Sequence, residues 1–166
     1  MTTRSLTRRP RADERLSGAL ARELLVFSLA GELYGVDLAG IREILTPPPI
    51  TLVPRATPDV LGVCSVRGLL VTVVDLRRRL NVDAATGTRR TRILLAPARD
   101  DEVVGLVVDE VKHVLRLNDA EIELAAGVLG GDVSEHVMGI GRPAGGPVIV
   151  LLDIRSLVTS GKETRQ

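Results

Sequence analysis

Two histidines, one cysteine and three aspartates at the ends of apolar runs are the groups in this 166-residue chain best suited to chemistry. A transition-metal site needs several Cys or His side chains at short spacing. Neither His113 nor His136 has such a neighbour. Cys64 with a distant histidine could form a thiol nucleophile, but it lies inside the strand-like run Val60–Val66, where cysteine behaves as a small hydrophobe. Asp37, Asp75 and Asp153 could be read as paired carboxylates. Each, however, opens an amphipathic segment, in GVDLAGIREIL, VTVVDLRRRL and VIVLLDIRSLV, so helix N-capping accounts for all three. In the first, Leu38, Ile41 and Leu45 are expected on one helical face; in the last, Ile154, Leu157 and Val158. Gly139–Ala144 matches G-x-G-x-x-A, yet Pro143, Gly145, Gly146 and Pro147 forbid the helix that motif requires. No phosphate loop, zinc motif or nucleophile elbow occurs. These residues predict a protein that is not an enzyme, holds no metal or cofactor, and works through surfaces that bind other proteins.

The elements that must carry such surfaces are short. Strands are predicted at Leu24–Leu29, Leu33–Val36, Val60–Val66, Leu69–Val74, Arg92–Ala96, Val103–Val108, Val111–Leu117, His136–Ile140 and Val148–Leu152. Loops are predicted at Thr46–Pro58, Asp83–Thr91 and Leu124–Gly131. Many short strands without long intervening helices indicate an all-β barrel or sandwich rather than a parallel βαβ fold. A single cysteine rules out an internal disulfide and fits the cytoplasm. No apolar stretch approaches the length of a bilayer span, so membrane insertion is not expected. The overall charge is +1, but residues 1–22 hold six arginines against Asp13 and Glu14 and read as a flexible basic tail. The alternative is a nucleic-acid-binding barrel that uses this tail and Arg77, Arg78 and Arg79; the single Phe and single Tyr leave little for base stacking. One position resists the core reading. In GVCSVRGLLVTVVD, Arg67 and Gly68 interrupt two strand-forming runs, and an unpaired buried charge would be costly.

The ordered set LVFSL (25–29), YGV (34–36), IREI (41–44), ITLVP (50–54), VRG (66–68), VVDLR (73–77), GLVVD (105–109) and LLD (151–153) resembles the CheW family over about residues 24–158. The resemblance implies two five-stranded, SH3-like β-barrels packed side by side with short helices at strand ends and near the C-terminus. It places the CheW-like domain at 23–158, one barrel at about 31–88 and the other at about 89–158 together with strand 24–29; residues 159–166 would form a C-terminal tail. It further implies a chemotaxis adaptor, recruited to receptor arrays, that joins the cytoplasmic tip of a methyl-accepting chemoreceptor to the regulatory domain of a CheA-type histidine kinase. Carried over by motif, the receptor-binding residues are Ile41, Glu43, Gly62, Ser65, Arg67 and Gly68. Ser65 stands where the family usually has Asn. The Arg67 guanidinium would offer a planar fork to a carboxylate or to carbonyls of a helical tip. An internal bridge from Arg67 to Glu43 or Asp75 is the competing role.

Overall fold

The computed structural model describes residues 21–125 and 135–163. Most of the basic tail, most of the Leu124–Gly131 loop and the chain end after residue 163 lie outside the described residues. Eleven strands are described: β1 (Arg22–Leu29), β2 (Glu32–Asp37), β3 (Glu43–Leu45), β4 (Val60–Val66), β5 (Leu69–Asp75), β6 (Arg92–Pro97), β7 (Val103–Val108), β8 (Glu110–Leu117), β9 (Ile122–Leu124), β10 (Val137–Gly141) and β11 (Ile149–Leu152). Two helices follow β5 and β11: α1 (Leu76–Arg79) and α2 (Ile154–Glu163). The strands form two sheets, β3-β6-β7-β5-β4 and β8-β1-β2-β11-β10-β9. This is the all-β, paired SH3-like barrel architecture. The second sheet exceeds the expected five strands because the short β9 is added beside β10.

The two sheets share one wiring diagram, rotated in sequence. In the first, β6 lies between β3 and β7, and β7 runs parallel to β5. In the second, β1 lies between β8 and β2, and β2 runs parallel to β11. The N-terminal hairpin β1–β2 therefore completes the barrel formed by the C-terminal half, while β6 and β7 complete the barrel formed by residues 43–75. The expected division at residues 88/89 does not follow the strands: β2 leaves the first barrel, and β6 and β7 join it. The reason is pairing, since Leu94 sits opposite Leu106 and Ile44, whereas Leu25 sits opposite Val36 and Val114. At the other end, α2 continues to Glu163, so residues 159–163 extend a helix instead of opening a tail.

Side-chain alternation then builds three cores. Val71, Val73, Ile93 and Leu95 fill the first barrel; Leu24, Val26, Leu117, Ile149 and Leu151 fill the second. Between the barrels, Leu25, Phe27, Leu29, Leu94, Leu106, Leu76 and Leu157 form the largest cluster. β1 and β6 are thus buried on both faces, which is why their sequences are apolar runs rather than alternations. Each fully buried Leu, Ile or Phe contributes about 1.5–3 kcal/mol.

All three aspartates cap as expected. Asp37 accepts from the Ala39 amide, Asp75 from Arg77 and Asp153 from Arg155. The segment after Asp37 departs from the expected helix. A 3-10 turn (Leu38–Gly40) gives way to extended chain and β3, so Leu38, Ile41 and Leu45 share no helical face. Leu38 and Ile41 pack between the barrels and Leu45 inside the first. At Gly40 a Cβ would meet Ile154 Cγ2 at 2.8 Å, so a glycine is fixed where a helix would have favoured alanine. His136 and Val148 lie just before β10 and β11, and β9 has no counterpart among the predicted strands.

Candidate functional site

Arg67 and Gly68 are the two-residue connection between β4 and β5, with Val66 paired to Leu69. Their φ angles are 49° and 81°. Both lie in the left-handed region, as a type I′ hairpin turn demands. A Cβ on Gly68 would touch nothing within 4 Å, so the backbone angle and not crowding is what calls for glycine. The charge amid apolar runs is therefore not buried. Arg67 stands at a hairpin tip with 72% of its side chain exposed.

Its fork meets Glu43 of β3. Arg67 Nη1 donates to Glu43 Oε2 at 2.7 Å and Nη2 donates to Oε1. Of the two internal bridges expected as the competing role, the one to Glu43 is therefore formed; the one to Asp75 is not, and Asp75 faces Arg78 at 3.5 Å. The hydrogen bond from Arg67 holds the Glu43 carboxyl below its ordinary value, and the same contact raises the guanidinium. Beneath the pair lies a cavity of about 260 Å³ whose walls include Val66, Leu69, Val71, Leu95 and Val103. Leu69 and Leu70 leave the turn 58% and 73% exposed. The site is thus a bidentate ion pair set over an apolar hollow and flanked by an exposed leucine ledge.

The other expected residues divide. Ser65 is exposed on β4 opposite Leu70 and borders the ledge. Ile41 is half-buried against the inter-barrel core, and the next amide, Arg42, donates to the Leu95 carbonyl. Gly62 is buried, with φ of 149°, and a Cβ there would lie 2.1 Å from the Thr51 carbonyl oxygen. The Thr51–Val63 bridge closes the first barrel at that point, so Gly62 acts in closure. Leu69 and Leu70, which motif resemblance does not single out, stand exposed beside this tip. The signal was available: two leucines directly after a hairpin turn must point to opposite faces of the strand, so one of them needs an outlet.

The remaining chemical groups are committed elsewhere. Arg77 Nε donates to Asp109 Oδ1 at 2.8 Å, and its Nη2 donates to Oδ2. Arg78 donates to the Pro58 carbonyl. Arg79 Nε donates to Asp59 at 2.6 Å, and Nη1 donates to the Leu157 carbonyl of α2. The Arg77–Arg79 run thus faces the protein's own acids and carbonyls, which counts against a phosphate-binding stripe. Cys64 is buried, and burial pushes its thiol up, away from the thiolate a nucleophile needs. His136 is buried against Ser156, and His113 is exposed on β8. No group of His, Cys, Asp or Glu among the described residues could hold a metal ion. No described helix is long and apolar enough to cross a membrane.

The fold and this tip define a double-barrel module with an ion pair joining the β4–β5 turn to β3. Residues 23–162 match the CheW-like domain, and the chain belongs to that family. It is 36% identical over 103 residues to the chemotaxis protein CheW of Bacillus subtilis, covering 62% of this chain and 65% of that protein, just under two thirds of its length. It is 30% identical over 157 residues to the protein FrzA of Myxococcus xanthus, covering 92% and 96% of the two chains. The crystal structure of the scaffolding protein TtCheW from Thermoanaerobacter tengcongensis superposes with a TM-score of 0.73 at 26% identity, over 82% of this chain and 91% of that one.

Proposed function

We propose that this protein is a non-enzymatic chemotaxis adaptor that couples the cytoplasmic tip of a chemoreceptor to the regulatory domain of a CheA-type histidine kinase. The observation that carries the receptor half is the Arg67–Glu43 pair, held at an exposed hairpin tip above an apolar hollow. A helical tip offers carboxylates, free carbonyls and apolar side chains, and this arrangement has a complement for each. Glu43 keeps Arg67 extended in the free protein, so its fork is ordered before a partner arrives and loses less entropy on binding. Leu69 and Leu70 supply the apolar contact, with Ser65, Gly68 and Ile41 bordering or supporting the same end of the barrel. Membership of the CheW-like family supports the kinase half.

The test is binding of the full chain to a soluble receptor signalling tip and, separately, to a kinase regulatory domain. Arg67→Glu sets two carboxylates face to face at the tip and removes the fork. Receptor-tip affinity is expected to fall by about tenfold or more, as for loss of an ordered charge pair at an interface. Kinase-domain affinity and the urea midpoint should stay at wild-type values, because the pair is open to solvent. Unchanged receptor binding in that variant would refute the role given to Arg67.

A further inference from the structure

Charge is segregated along this chain. Residues 1–22 carry six arginines and two acids, a net +4, which leaves 16 basic and 19 acidic residues, a net −3, in residues 23–166. The basic part precedes the CheW-like match, which begins at residue 23. Several acids of the folded part are already committed. Glu43, Asp59, Asp75, Asp109, Glu110 and Glu123 are all in ion pairs. Asp100 and Asp101 are exposed at the β6–β7 turn and form no ion pair among the described residues. Arg99 precedes them and Glu102 follows, so the turn is acidic on balance.

This acidic turn adjoins the leucine ledge. β5 and β7 run parallel with Thr72 beside Val104, which brings Leu70 level with Glu102. Both residues line one cavity of about 250 Å³, with Val103 and Val158 on its walls. The same end of the first barrel therefore shows an exposed apolar shelf with an acidic rim. The stretch Arg4–Arg11, RSLTRRPR, has the complementary composition: four arginines around Leu6. Twenty residues of extended chain reach roughly 66 Å, so reach does not limit where the segment can lie.

We propose that the arginine-rich N-terminal segment docks in cis on this surface, its arginines on Asp100 and Asp101 and Leu6 on the exposed Leu70. The contact does not depend on which partner the shelf receives. Its consequence does rest on the receptor reading above: the segment would compete for the tip until a partner displaced it.

The test uses the full chain labelled with a nitroxide through Ser5→Cys; Cys64 is buried and its thiol is pushed up by burial, so the label goes to the new thiol. The amide signals of Leu69, Leu70 and residues 99–102 should lose about half their intensity or more. They should recover at roughly 0.5 M salt, where screening is strong. They should also recover with Arg8→Glu and Arg9→Glu, changes that lie outside the described fold and leave it intact. Asp100→Lys with Asp101→Lys should have the same effect. Broadening that is absent, evenly spread over the surface, or unchanged by reversing the segment's charge overturns the proposal. So does broadening that passes between chains in a mixture of spin-labelled and isotope-labelled protein. A response of the segment only to added duplex DNA or phosphatidylglycerol vesicles overturns it too and makes the segment a phosphate-binding arm. None of these readouts involves a receptor, so failure here and failure of the adaptor reading are separable.

Discussion

The two barrels solve the same closure problem and decorate it differently. In the first, β4 carries a bulge at Gly62, and a Cβ there would strike the Thr51 carbonyl oxygen at 2.1 Å. In the second, β10 carries a bulge before Gly139, and a Cβ would strike the Glu123 carbonyl oxygen at 2.3 Å. Gly62 pairs with Val73 two residues before the capping Asp75; Gly139 pairs with Leu151 two residues before the capping Asp153. The Asp75 amide donates to the Asp59 carbonyl and the Asp153 amide to that of His136, both at 2.8 Å. Away from this shared frame the likeness ends. The β4–β5 turn is two residues long and holds the Arg67 fork, whereas the β10–β11 connection runs from Arg142 to Val148 through two prolines. The closure glycines are needed twice because closure is needed twice. Among the described residues the charged two-residue tip is found on the first barrel, whereas the closure glycine is found on both.

The sharpest way to break this comparison is to fill the closure sites. Gly62→Ala adds a Cβ inside a backbone carbonyl at a φ that L-residues rarely adopt, and Gly139→Ala adds one against another carbonyl. Each should cost of the order of 3 kcal/mol or more, read from urea unfolding, because strain of this kind is met only by shifting backbone. Equal penalties would support equivalence. A Gly62→Ala protein of wild-type stability that has lost receptor binding would return Gly62 to the contact surface.

A second test concerns the junction between the barrels, where the symmetry is replaced by a charge. Position 79 in α1 corresponds to Leu157 in α2, counted from their capping aspartates, and the two meet: the Arg79 guanidinium donates to the Leu157 carbonyl. Only 3% of the Arg79 side chain is exposed, against 20% for Asp59. Burial alone would raise the Asp59 carboxyl, but hydrogen bonds from Thr57 and Arg79 overcome it and hold it low. Arg79→Met keeps the apolar stem and leaves that carboxylate without its cation. A loss of about 3 kcal/mol is expected, with part of it recovered when Asp59→Asn is added. No recovery in the double variant would mean that the contact to Leu157, and not the ion pair, does the holding.

What could be read from the residues depends on how local each element's causes are. Val60–Val66 and Val103–Val108 are legible to the residue because β-branched runs bounded by polar residues or glycine have no other use. The capping aspartates are legible for the same local reason. β3 is not, since Glu43-Ile44-Leu45 becomes a strand only by pairing with Ile93, Leu94 and Leu95, which lie far along the chain. The place of β2 in the second barrel is invisible for a related reason: which barrel a strand joins is decided by partners, not by its own pattern. At the site, motif resemblance brings Glu43 and Arg67 together but gives Gly62 a surface role, because a glycine's letter does not say which carbonyl it lets pass. Leu69 and Leu70 read as strand core, although strand alternation alone puts one of the two on the face away from it; that both are exposed is a property of the finished surface.

The smallest effect expected separates the two barrels by pH. His136 takes the place in the second barrel that Asp59 holds in the first, and burial depresses its imidazolium below the ordinary value of 6.5. Glu135, Asp153 and Asp59 pull the other way and Arg79 reinforces the depression, without reversing the sign. A histidine whose folded pKa is depressed binds fewer protons in the native state than in the unfolded chain. Stability therefore rises with pH across that interval, and it is lost as pH falls from the ordinary value through the folded one. Carboxyls such as Asp59 and Asp109 sit below their ordinary 3.8, so their contribution is lost only in stronger acid. Between about pH 7.5 and 5 the slope should then belong to His136. The urea midpoint of the wild type should decline over that range, by less than the Arg79→Met loss, and His136→Gln should flatten it. Ser156→Ala should retain the slope, because the buried ring and its cost of protonation remain. A wild-type slope that survives His136→Gln would assign the titration to another group and remove the asymmetry argued for the second barrel.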